Sequence, residues 1–275
     1  MFLESIVKYV RTPHLEGSRL QDGDDASTQV PYSHLSGKYL VVEEKMDGAN
    51  SGVRFSDELE LLLQSRGHYL TGGSRERHFN LLKSWASYHE NALFEVLGDR
   101  YLMYGEWCYA KHTVFYDKLP HYFLEFDVLD LKKGEFLSTA RRRQLIGNTP
   151  IVQVPVLYEG VAPRYLKDLL TMIKPSLAKS LRWKEELRAV ATMLGLDVER
   201  TVGETEDSIL AEGLYIKVEE GGVVKERYKW VRKDFLQTLL ESDSHWHSRP
   251  IVPNQLAAGV DLYSATVQGW DLAKK

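Results

Sequence analysis

Runs of β-branched and aromatic residues bounded by turn signals alternate along this chain with stretches of helical spacing. Residues 39–45 are apolar and β-branched and stop at Asp47-Gly48, which predicts a strand entering a turn. Residues 52–55 and 60–64 continue as a meander towards Ser65-Arg66-Gly67, and strands are expected again at 101–107 and 122–129. Residues 214–218 and 223–231 flank Glu219-Glu220-Gly221-Gly222, a hairpin signal because paired glycines tolerate positive φ. Helical spacing appears in Phe79, Leu82, Trp85, Ala86, Ala92, Leu93 and Val96, as one helix or two joined turns. A short helix is expected at 139–146, and a longer helical region at 164–196 must break or kink at Pro175. Residues 1–37 carry breakers at Thr12-Pro13, Gly17, Asp22-Gly23 and Val30-Pro31 and read as an N-terminal arm. The division expected is therefore an arm (1–37), a main domain (38–240) and a short C-terminal extension (241–275). Antiparallel strands with intervening helices make the fold class α+β.

Composition narrows the function classes. The 275 residues, 43% hydrophobic and 27% charged, match a soluble globular chain. No apolar run is long enough for a bilayer, and the acidic start Met1-Phe2-Leu3-Glu4 lacks a secretory signal pattern, so a cytoplasmic protein with no membrane partner is expected. The single cysteine, Cys108, excludes an intrachain disulfide and sits in an apolar, aromatic stretch that favours packing. A net charge of −4 argues against a broad basic surface that coats nucleic acid. Basic charge is local instead. It sits in Arg141-Arg142-Arg143, read equally as a solvated helix face, and in Lys225, Arg227, Lys229, Arg232 and Lys233.

Lys45 ends the first strand, where a lysine is ordinarily a solvated edge charge. Its surroundings differ: Glu43 shares its face by strand parity, and the Asp47-Gly48 turn brings a carboxylate near the ammonium. A lysine attacks phosphorus only as the neutral amine, and with a reference pKa of ~10.4 it needs neighbours that lower that value. Strand parity puts Lys225, Arg227 and Lys229 on one face with Lys217 across the hairpin, a set of cations suited to that task and to a triphosphate. Strict alternation places Glu212 and Lys217 on opposite faces, so both serve one site only if the strand bends at Gly213.

In order along the chain stand Lys45-Met46-Asp47-Gly48, Ser65-Arg66-Gly67, Gly105-Glu106-Trp107, Phe123-Leu124-Glu125-Phe126-Asp127, Glu212-Gly213 with Lys217, and Arg227-Tyr228-Lys229. Each is common by chance. The ordered set resembles the motifs of the covalent nucleotidyltransferases, which comprise DNA ligases, RNA ligases and mRNA capping enzymes. Asn50, five residues beyond Lys45, makes the chain most similar to the RNA ligase 2-like branch. The resemblance implies an ATP-grasp-like nucleotidyltransferase domain of antiparallel sheets flanked by helices, with the nucleotide in the cleft between sheets. It also implies ATP as co-substrate, Mg2+ or Mn2+, and RNA with 5′-phosphate and 3′-hydroxyl ends as the partner, beside end-healing proteins. Lys45 would take AMP from ATP, pass it to an RNA 5′-phosphate and allow a 3′-hydroxyl to seal the break.

Under that resemblance Glu43, or its neighbour Glu44, reads the adenine amino group, with Glu43 favoured by its shared face with Lys45. Phe126 stacks on adenine, with core packing beside Leu124 and Tyr122 as its alternative by strand parity, Glu106 contacts the ribose, and Lys217, Arg227 and Lys229 engage the α-phosphate. Asp47, followed by Gly48, and Glu212 orient metal-bound water, while Asn50 and Arg66 position the phosphate and the RNA 3′ end. The tail after Phe235 is too short for the oligonucleotide-binding fold that DNA ligases and capping enzymes carry there, which agrees with the branch, while the chain departs from the branch in carrying Arg227 where lysine is usual and in a tail shorter than the helical domain of its best-known members. A GTP-using capping-type guanylyltransferase and a non-catalytic nucleotide- or RNA-binding module are the alternatives. His245-Trp246-His247 lacks a third metal ligand in the sequence nearby, and Arg11-Thr12-Pro13-His14-Leu15-Glu16-Gly17 is left without a role.

Overall fold

A computed structural model describes residues 5–20, 29–147, 149–235, 250–267 and 269–270. His245 and His247 therefore lie outside the described residues. Two antiparallel sheets organise the chain. The first holds β1 (Tyr39–Glu44), β8 (Val156–Val161), β9 (Gly213–Glu220) and β10 (Val223–Val231) in the order β10-β9-β1-β8. The second holds β2 (Ala49–Phe55), β3 (Leu61–Ser65), β4 (Tyr101–Trp107), β5 (Phe123–Asp130) and β6 (Glu135–Phe136) in the order β3-β2-β4-β5-β6, with β7 (Val152–Gln153) pairing β5 in parallel. The α+β class read from the sequence is the one observed.

Strand parity decides what each face of the first sheet meets. Leu40, Val42, Leu214, Ile216, Tyr228 and Trp230 point one way and pack with Leu15, Tyr32, Leu35 and Leu169 of the flanking segments. Their alternates, Val41, Glu43, Tyr215, Lys217, Arg227 and Lys229, share the other face through the registers Val41↔Lys217, Glu43↔Tyr215, Arg227↔Lys217 and Lys229↔Tyr215. The second sheet packs Val53, Phe55, Leu102 and Met103 in one apolar cluster with Leu82, Trp85 and Ala86 of α1 (Asn80–Tyr88) and Leu93 of α2 (Glu90–Leu97). The region expected to be one or two helices is thus two, with the break at His89.

The helical region around Pro175 resolves into α4 (Leu166–Leu170) and α5 (Trp183–Met193), followed by α6 (Val198–Gly203). Pro175 itself sits between α4 and α5 in a bridge to Leu210, as its missing amide and ring require. α3 (Thr139–Ile146) begins at Ser138, whose side chain accepts the Arg141 amide as an N-cap. The N-terminal segment adds to the edge of β10: Lys229 N donates to Pro13 O and Leu15 N to Lys229 O at 3.0 Å each, and Arg19 N to Val231 O at 3.0 Å. Near the other end, Asn254 Nδ2 donates to Cys108 O and its Oδ1 accepts from Tyr116 N, fastening residues 253–256 to the loop after β4. Among the described residues no helix is long and apolar enough to cross a membrane.

Candidate active site

Lys45 stands where β1 leaves the first sheet and the chain turns towards β2, so it lies at the seam between the sheets. Its Nζ is 2.8 Å from each carboxylate oxygen of Glu212, with the lysine side chain 22% exposed and the glutamate 2%. The bend that sequence parity demands is present. Lys45 N donates to Gly213 O at 3.1 Å, and a side chain at Gly213 would collide with the carbonyl of Trp230. Glycine there lets Glu212 swing onto the Lys45 side just before β9 begins.

The Asp47-Gly48 turn is held from three directions. Asp47 Oδ2 accepts the Thr113 and Val114 amides at 2.7 Å, and Asp47 N donates to the Tyr116 hydroxyl at 2.9 Å. Gly48 N donates to Glu106 Oε1 at 3.1 Å, and a Cβ at Gly48 would lie 2.7 Å from Trp107 O, so the backbone approach to β4 requires glycine. Asn50 pairs with Glu106 in the β2–β4 register. Asp47, Glu106, Glu212 and Lys45 therefore form one electrostatic cluster.

Its charges are mutually adjusted. Burial pushes Glu106 up to about 8, against the pull of Lys45, and burial likewise pushes Glu212 up to about 7. For Lys45 burial acts downward, but Glu212 outweighs it, assisted by Glu106 and Asp47, and the net shift is upward. The expectation that neighbouring cations lower the lysine is thus corrected: before a nucleotide binds, its nearest charges are anions. A carboxyl whose folded pKa is raised contributes stability that is present below its ordinary value of 4.5 and lost as pH climbs through the folded value. Glu106→Gln is accordingly expected to gain stability over the wild type as pH rises from 5 to 8.5, on the order of 2 kcal/mol at the upper end, with no gain at pH 4. Urea unfolding across that pH range measures it.

Lys217 and Arg227 face a different set of anions. Lys217 is fully buried, 2.8 Å from Glu43 Oε2 and 3.4 Å from Asp127 Oδ1, and it donates to the carbonyl of Phe126. Arg227 Nε donates to Asp127 Oδ2 at 3.0 Å, and its guanidinium lies 3.8 Å from the Phe136 ring centroid. Arg142, placed by the sequence on a solvated face or in a local basic site, is fully buried and bridges Glu43 Oε1 at 2.5 Å to Glu125 Oε1 at 2.9 Å. Glu43, Glu125 and Asp127 thus meet Arg142, Lys217 and Arg227 between the sheets, charge against charge. Burial would raise Asp127, but Lys217 and Arg227 hold it below its ordinary value.

The remaining predicted residues fall as follows. Glu44, one residue on from Glu43, is buried on the opposite face of β1, where its Oε2 accepts the Leu177 amide at 3.4 Å. Phe126 is the unpaired residue of a bulge, since Tyr104 pairs Asp127 while Gly105 pairs Glu125. The bulge frees it from strict parity, and its ring sits 5.1 Å from Tyr9 and 6.3 Å from Tyr215. Lys229 lies on the same strand face as Arg227, and its charge acts on Glu212. A second bulge, between Val224 and Glu226, takes Lys225 off the shared basic face, where parity had placed it, and leaves it exposed. Arg66 is exposed on the turn after β3 and takes no part in either cluster. The reading of residues missed Arg142, Tyr9 and Tyr215.

Comparison with known proteins places these observations. A family model described as RNA ligase matches residues 38–231. No curated protein matches the chain. Among solved structures, a lysine-to-alanine variant of the Naegleria gruberi RNA ligase with ATP and Mn is 18% identical with a TM-score of 0.47, covering 73% of this chain and 51% of that one. A second such variant, also with ATP and Mn, is 16% identical with a TM-score of 0.48, covering 83% of this chain and 61% of that one. The chain thus spans about half to three fifths of the length of these relatives.

Proposed function

Because the chain belongs to the RNA ligase family, we propose that it is an ATP-dependent RNA ligase whose Lys45 carries AMP between ATP and an RNA 5′-phosphate. The observation that carries this reading is the Lys45–Glu212 pair, set at the seam of two sheets with Asp47 and Glu106 beside it and Lys229 acting on Glu212. A lysine so placed waits as an ammonium. To attack, it gives up a proton, and Glu212, at 2.8 Å with its pKa pushed to about 7, is the nearest acceptor. Lys45 Nζ then forms the bond to the α-phosphorus as the bond to pyrophosphate breaks. AMP next passes to an RNA 5′-phosphate, and a 3′-hydroxyl attacks that activated end and releases AMP.

Positioning and charge stabilisation carry chemistry of this kind. The donor set suits a Mg2+ or Mn2+ ion that keeps most of its water: Asp47 and Glu212 are carboxylates at the reacting end, and Mg2+ takes one or two such ligands along with substrate phosphates. Bound there, the ion would neutralise phosphate charge. Phe126 would offer a π face for the base, and Glu106, paired across from Asn50, would contact the ribose. Exposed Arg66 and half-buried Asn50 are left to the RNA end and the phosphate.

The test is incubation with ATP or GTP labelled at the α-phosphate, followed by a denaturing gel. The expected result is a covalent label from ATP with a divalent ion present. Label from GTP alone would assign the chain to capping-type chemistry, and nucleotide binding without any covalent label would make it a binding module.

A further inference from the structure

The N-terminal segment does more than cover a sheet edge. Tyr9 is buried between the two sheets, and its hydroxyl donates to Asp127 Oδ2 at 2.5 Å and lies 2.7 Å from the Tyr215 hydroxyl, which Thr12 Oγ1 approaches at 3.0 Å. Asp127 belongs to the second sheet, while Tyr215 and Arg227 belong to the first. The Tyr9 ring meets Tyr104 at 4.9 Å and Phe126 at 5.1 Å, both edge-on. A few residues on, Pro13 and Leu15 take both backbone groups of Lys229. One short segment therefore touches the carboxylate that holds Lys217 and Arg227, the aromatic pair Phe126 and Tyr215, and the backbone of Lys229.

From this juxtaposition we propose that Tyr9 is a positioning residue for adenylyl transfer: its hydroxyl fixes Asp127, and through Asp127 the side chains of Arg227 and Lys217, while its ring backs Phe126. Burial and the Asp127 charge push the phenol well above its ordinary pKa, so it stays a donor throughout the working range. Asp127 Oδ2 accepts from Tyr9 and Arg227, while Lys217 faces Oδ1 as an ion pair at 3.4 Å. Without the phenol, Arg227 and Lys217 alone set the carboxylate's orientation, and the two cations lose a fixed reference. Hydroxyl and ring then have separable duties.

The proposal rests on the reading of the chain as an adenylyl-transferring ligase, and the test keeps the two apart. Lysyl-AMP formation from labelled ATP is timed over a range of ATP concentrations for the wild type, Tyr9→Phe and Tyr9→Ala, with Tm recorded for each. Tyr9→Phe keeps the ring and is expected to lower kcat about tenfold, the size of a lost hydrogen bond to a charged group, with KM within twofold and Tm nearly unchanged. Tyr9→Ala, which also removes the support of Phe126, is expected to raise KM in addition. Asp127→Asn combined with Tyr9→Phe should cost no more in kcat than Asp127→Asn alone, because the two act as a unit. A Tyr9→Phe enzyme with wild-type kcat overturns the proposal while the ligase reading stands, as does a kcat loss that merely follows a fall in Tm. A wild type that takes no label overturns the ligase reading, and the role of Tyr9 with it.

Discussion

Lys45→Ala and Lys45→Arg are each expected to take no label from ATP. The two substitutions separate the nucleophile from the ion pair. Arginine keeps a cation for Glu212, yet its guanidinium is not deprotonated in proteins and cannot attack phosphorus. Alanine removes both. Neither should unfold the chain, because the side chain of Lys45 is partly exposed and because in the alanine variant Glu212, raised to about 7 even against the pull of Lys45, rises further and becomes neutral rather than an unpaired buried charge. Circular dichroism and Tm confirm folding, and the gel reads the label. A Lys45→Arg protein that labels as well as the wild type would place the adduct elsewhere.

Lys217→Met is expected to destabilise the fold by about 3–5 kcal/mol, the usual cost of removing one partner from a buried ion pair. Both of its carboxylate partners, Glu43 and Asp127, are fully buried, so neither can recover its hydration. Methionine fills similar volume, which makes the loss one of charge rather than of packing. Arg188, paired with Glu199 on the surface, is the control: Arg188→Met should leave stability essentially unchanged. Urea unfolding of both variants at pH 7 decides. Equal, small effects would mean that the charges between the sheets do not depend on one another.

How far the sequence carried the fold follows from what each element needs. β4 and β10 were legible because turn residues open each, Gly98-Asp99 before β4 and Gly221-Gly222 before β10, ahead of a run rich in aromatic or β-branched residues. β8 was not, since Pro155 and Gly160 interrupt a run whose side chains are at most half-buried at the edge of the first sheet. At the site, motif order gathered Lys45, Asp47, Glu106 and Glu212, which the structure brings together. Parity failed at Lys225, where a bulge intervened, because an extra residue in a ladder leaves no mark in composition. Arg142 looked like one of three solvated arginines. Its burial depends on Glu43, 99 residues earlier, together with Glu125, on strands of different sheets. Tyr9 was hidden for the same reason, since its partners are Asp127 and Tyr215 and nothing local marks it.

The Lys45 ion pair also sets a pH expectation that is separate from stability. On the proposed reading a lysine held charged by Glu212 gives up its proton before it attacks, so the path of that proton belongs to the site.

The central claim is that AMP becomes bonded to Lys45 and to no other residue. Digestion of the ATP-treated protein under conditions that preserve a phosphoramidate, followed by peptide mass spectrometry, tests it most directly. The account predicts AMP on the peptide that contains Lys45-Met46-Asp47-Gly48, released by mild acid and absent when ATP is withheld. AMP on any other lysine, or on a hydroxyl side chain with Lys45 unmodified, would contradict it.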